Sequence, residues 1–130
     1  MHAHAHVTVA SAADVARVIA VMVSLRTECR VVSPPGAGCF MGLGWWQAIV
    51  AGCPLPALLD CGSAAGFAAP GLRAGLYGVI IQAPPAQQHA LRALARVTGG
   101  QVLGTRPAAF DLPPHGAEDA LARHLRAHRG

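Results

Sequence analysis

The chain has 130 residues, 53% of them hydrophobic and 12% charged, with a formal net charge of +4. That length fits one domain spanning 1–130, and so apolar a composition implies a sheet covered on both faces or apolar surface given to a second copy in a homodimer. All ten basic residues are Arg and none is Lys, which excludes Schiff-base lysines, a P-loop lysine and a Tyr-x-x-x-Lys catalytic pair.

In chain order, Val7-Thr8-Val9-Ala10 reads as a first short strand. Ser11 then caps a helix over 12–24, with Val15, Val18, Ile19 and Met22 on one face. Arg30-Val31-Val32-Ser33 forms a second strand, stopped by Pro34-Pro35-Gly36. A Gly-rich loop follows, and then a helix from about Trp45 to Ala51. The third strand is Ala57 to Cys61. Segment 64–75 is helix-like, and Pro70 within it is expected to break or kink the helix. Tyr77 to Gln82 is the fourth strand, 85–98 an amphipathic helix, and Gln101-Val102-Leu103 the fifth strand. A last helix over 117–128 starts with Glu118-Asp119 and ends with Arg126 and His128, a polarity that suits the helix dipole. Strands alternating with helices imply an α/β fold with a mainly parallel five-stranded sheet. A three-layer α/β/α sandwich is the leading arrangement, and half of a β/α barrel completed by dimerisation is the alternative.

The four cysteines form no C-x-x-C pair and no secretory signal is apparent, so reduced thiols in a cytoplasmic protein are expected. The uncharged stretch 37–59 approaches membrane-span length. It is interrupted by Gly38, Gly42, Gly44, Gly52, Pro54 and Pro56, so no membrane association is expected. The Arg residues are dispersed along the chain and there is a single Tyr, a poor match to the basic, aromatic-interleaved surface of a nucleic-acid binder.

The most informative residue is Asp60. It is the only charged residue between Arg30 and Arg73, and it closes an apolar strand. A carboxylate in that position must be solvated, hydrogen-bonded or neutralised. Parallel strands share one carboxyl edge, where α/β proteins place their sites. Ser33, Asp60, Cys61, Gln82 and Arg106 all fall at or just past strand ends on that edge. Asp60 and Cys61 are the catalytic candidates there, although a structural role for the thiol is the plainer reading. The segment Gly38-x-x-x-Gly42-x-Gly44 between a strand and a helix is similar to the nucleotide-binding turn of short-chain dehydrogenases. In this chain it follows the second strand, so a close-packed loop is the simpler account. Amides near Gly36, Gly38, Gly42 and Gly44 are the candidate anion cradle, with Trp45 or Trp46 at its rim or in a dimer contact. His2, His4 and His6 alternate and would share one face of an extended chain, where they could take up a metal adventitiously.

At Ser33-Pro34-Pro35-Gly36, at Gly42-Leu43-Gly44-Trp45-Trp46 and at Leu59-Asp60-Cys61-Gly62 through Arg73-Ala74-Gly75, the chain resembles a group of small bacterial α/β proteins without assigned function. That resemblance implies the fold class and carries no activity, cofactor or catalytic residue. The run from Asp60-Cys61-Gly62 to Gly71-Leu72-Arg73-Ala74-Gly75-Leu76-Tyr77-Gly78 also resembles helix–strand units of β/α-barrel enzymes. Two functions are therefore expected as alternatives, with catalysis and cofactor left open. One is a small anionic ligand held at the carboxyl edge by Ser33, the loop amides, Gln82 and Arg106, with Asp60 as acceptor or base. The other is a non-enzymatic interaction or assembly module acting through the Gly-rich, Trp-containing surface.

Overall fold

A computed structural model describes residues 4–113 and 115–128. The elements run β1 (His6–Thr8), α1 (Ala12–Leu25), β2 (Arg30–Val32), α2 (Ala37–Phe40), α3 (Leu43–Val50), β3 (Ala57–Asp60), α4 (Ala65–Arg73), β4 (Gly78–Ile80), α5 (Pro85–Thr98), β5 (Gln101–Leu103), β6 (Phe110–Asp111) and α6 (Glu118–Ala127). The strands form one parallel sheet in the order β5-β4-β3-β2-β1-β6. The α/β class and parallel sheet expected from the sequence are present, with six strands in place of five. β6 escapes a sequence reading because two residues, Phe110 and Asp111, carry no alternation to detect.

Local signals explain the helix boundaries. Ser11 Oγ accepts the Asp14 N–H at 3.1 Å, while Asp14 Oδ2 accepts the Ala10 N–H at 2.9 Å, a reciprocal cap on α1. The segment expected as a Gly-rich loop contains the single turn of α2, and α3 starts at Leu43 rather than near Trp45. Pro70 lies inside α4 without ending it, because a proline forfeits one i→i−4 bond and the Ala74 N–H closes on Pro70 O at 2.9 Å.

The sheet order dictates where the helices go. Steps from β1 through β5 all run in one direction, so right-handed crossovers put their helices on one face. Buried residues of α1 (Val18), α3 (Trp46), α4 (Leu72), α5 (Leu91) and α6 (Leu121) accordingly share one core with Val7, Val31, Leu59 and Val79. The alternate strand positions Val32, Leu58 and Ile80 point to the second face and form a separate cluster with Tyr77, Leu103 and Ala109. A three-layer sandwich would cover that face with helices as well. Here the cover is the connection 104–109, which returns from β5 past four strands to reach β6 beyond β1. Five strand spacings amount to about 24 Å, and seven residue steps reach at most about 25 Å. The strap therefore has little slack.

At the other edge, α6 docks on β1 and β6 through histidines. His124 Nε2–H donates to His6 O at 3.2 Å, its ring lies 5.4 Å from that of Phe110, and the His128 ring lies 4.6 Å from it, tilted by 52°. His6 is 8% exposed and its Nε2 is buried without a hydrogen-bond partner among the described residues. Burial lowers the pKa of both His6 and His124, reinforced by Arg30 and His4 at His6 and by His128 at both rings. A His with a depressed folded pKa binds its proton more readily in the unfolded chain. Stability is then full above the unfolded value of about 6.5 and falls as the pH drops below it. Urea midpoints measured from pH 8 downward should decline below that point, and His6→Leu should flatten the decline. Equal slopes for the two proteins would refute the assignment.

Candidate functional site

The carboxyl edge gathers three of the residues singled out in the sequence. Asp60 is 5% exposed at the end of β3, on the second face. Arg106, from the strap, donates through Nη1 to Asp60 Oδ2 at 2.8 Å and to Ser33 O at 2.9 Å. Its Nη2 donates to Thr8 Oγ1 at 3.3 Å. One guanidinium thus ties the strap to β1, to the end of β2 and to β3. The second carboxylate oxygen, Oδ1, accepts the Gly62 N–H at 2.8 Å. Ser33 is fully buried, with its Oγ accepting the Asp60 N–H at 2.9 Å and donating to Pro34 O at 3.1 Å.

The side chains of Asp60, Ser33 and Arg106, three of the groups that the sequence assigned to a ligand, thereby engage within the chain. Asp60 has a charge partner and a backbone donor, and Ser33 has both an incoming and an outgoing hydrogen bond. Gln82 enters the neighbourhood through its backbone, whose N–H donates to Gly62 O at 2.8 Å, while the residue itself is exposed. Thr8 and Gly62 are cluster members that sequence reasoning missed. For Thr8 the available signal was a hydroxyl between Val7 and Val9, which must face away from the helix-covered side.

Several amides of the loop are also committed. Ala37 N–H donates to Pro34 O, Cys39 N–H to Gly36 O, and Met41 N–H to Ala37 O, all at 2.8 to 3.1 Å. Gly36 and Gly42 take left-handed φ values of 70° and 87° ahead of α2 and α3, and Gly44 lies inside α3. Gly38 is required by packing. A Cβ there would stand 2.9 Å from Cys61 Sγ and 3.1 Å from Asp60 O, so α2 can sit on the end of β3 only if this residue has no side chain.

Cys61 is fully buried, and burial, with Cys39 and Asp60 nearby, pushes its thiol up to about 12. Burial thus favours the protonated thiol over the reactive thiolate. Trp46 is fully buried in the helix-side core, whereas Trp45 is half-buried, with its ring centroid 6.0 Å away. His4 is exposed and His6 is buried, so the alternating histidines do not present a common exposed face; His2 lies outside the described residues. No group of three or more metal-ligating side chains comes together among the described residues.

The chain matches no family model, no curated protein and no solved structure. The two larger described cavities lie away from Asp60. One of about 440 Å³ opens at the amino ends of β1 to β3, between Met22, Glu28, Arg30 and Leu55, and one of about 420 Å³ lies between α1 and α6. No helix among the described residues is long and apolar enough to cross a membrane.

A different feature of the carboxyl side is exposed. Phe40 and Met41 close α2 at 69% and 46% exposure, and Phe67, at 48%, lies in the first turn of α4, which touches α2.

Proposed function

We propose that the chain is a non-enzymatic assembly module that pairs with a second copy of itself through the surface carrying Phe40, Met41 and Phe67. The exposure of these three large apolar side chains on two neighbouring helices carries the reading, since exposed apolar clusters mark interaction sites. The stretch of chain that carries these three residues also has no exposed charge of its own. Between Arg30 and Arg73 the one charged side chain is Asp60, and it is buried. A two-fold interface places the same patch against itself, which an uncharged apolar surface tolerates and a charged one resists. Trp46 takes no part, because it is packed in the core.

A second reading retains the anionic ligand at the carboxyl edge. It is supported by the Arg106 side chain, which remains 22% exposed while paired with Asp60. An anion there would share a guanidinium already neutralised by a carboxylate, which weakens its hold.

Light scattering over a concentration series tests the first reading. The wild type should be a dimer, and Phe40→Glu/Phe67→Glu should be a monomer with an unchanged circular dichroism spectrum. A wild type that stays monomeric throughout would exclude self-assembly. If that monomer melts higher in phosphate or a dicarboxylate, the ligand reading takes its place.

A further inference from the structure

The two edges of the sheet are unlike. β6 is two residues long and lies beside α6 and its histidines, whereas β5 ends the sheet next to a shallow groove of about 380 Å³. That groove is lined by Arg92, Ala95 and Arg96 of α5 and by Gly100, Gln101 and Val102. On its inner side β5 is paired with β4: Gln101 N–H donates to Tyr77 O at 3.0 Å and Leu103 O accepts the Ile81 N–H at 2.9 Å. In a parallel ladder the residue between two such positions turns its N–H and C=O the other way. Val102 therefore offers a backbone donor and acceptor to the open edge.

We propose that this edge of β5, flanked by Arg92 and Arg96, accepts an extended acidic peptide segment as an added strand. Backbone hydrogen bonds to Val102 would set the position of the segment, in the manner of strand addition at an exposed edge. Its alternate side chains would face α5, where Arg92 and Arg96, one helical turn apart, form no ion pair among the described residues. The same two charges argue against a second copy of this chain pairing edge to edge, because a two-fold axis would set arginine against arginine. They also guard the edge against indiscriminate strand pairing. Guarding alone predicts that no peptide binds, and strand addition predicts that acidic ones do.

The probe is a fluorescein-labelled peptide of alternating Val and Glu, titrated with the full chain and followed by fluorescence anisotropy. Binding is expected, with weaker binding at higher salt, and a Val and Lys peptide of equal length should not bind. Arg92→Glu/Arg96→Glu should weaken the acidic peptide by about tenfold or more. Val102→Pro removes an N–H that β4 does not use and should abolish binding while leaving the sheet ladder intact. If that variant fails to fold, N-methylation of alternate peptide residues removes the reciprocal donors instead and should have the same effect. Failure of the acidic peptide to bind, equal binding of both peptides, or indifference to N-methylation would each overturn the proposal.

Discussion

Arg106→Ala should lower the unfolding free energy by about 3–5 kcal/mol, read as a fall in the urea midpoint. The substitution leaves Asp60, whose side chain is 7% exposed, without its counter-charge and with the Gly62 N–H as its one remaining described donor. It also strips Ser33 O and Thr8 Oγ1 of a donor. Among the described residues, the strap over the second face then keeps the apolar anchorage of Ala109 against Val32, Leu58 and Ile80. Asp60→Asn should be milder, because an amide needs no counter-charge and its oxygen still accepts the Gly62 N–H. Combining Asp60→Asn with Arg106→Met should recover much of the loss, since removing both ions leaves no charge unpaired. A loss below about 1 kcal/mol for Arg106→Ala, the range of an exposed surface pair, would show that the bridge does not hold the strap.

The isolation of Asp60 between Arg30 and Arg73 was readable in the sequence, and so was its consequence, that a buried carboxylate demands compensation. Ser33 and Arg106 were placed on the same edge by the rule that parallel strands share their carboxyl ends. What strand ends cannot reveal is that these groups satisfy one another. That depends on the path of 104–109 across the sheet, a long-range fact set by strand order, and strand order has no local signature. The same gap hides β6 and the placement of the helices on one face. Both follow once the order β5-β4-β3-β2-β1-β6 is known, since a uniform series of right-handed crossovers admits one helical side. Around Gly38 the reverse happened. Of the glycines spaced like a phosphate-binding turn, Gly38 serves close packing, because α2 lies against Cys61 and Asp60 there, while Gly42 and Gly44 have open space around them.

The tryptophan pair separates packing from polarity more sharply. Adjacent helical residues point about 100° apart, so only one of the two can face the sheet, and it is Trp46. Its ring joins the core with Leu59 and Leu72, yet its Nε1–H is buried with no acceptor among the described residues. Trp46→Ala should cost about 3–5 kcal/mol through lost burial and the cavity left behind. Trp46→Phe should change stability by less than about 1 kcal/mol. It forfeits part of the ring volume, but it also removes a buried donor whose isolation costs about 1–3 kcal/mol, and the two terms oppose each other at similar size. Urea unfolding of the two variants, with Trp45 fluorescence as the remaining probe, measures the contrast directly. If Phe proved as damaging as Ala, the indole N–H would have to be making a hydrogen bond in solution. The helix-side core would then contain a polar contact at Trp46 rather than an isolated donor.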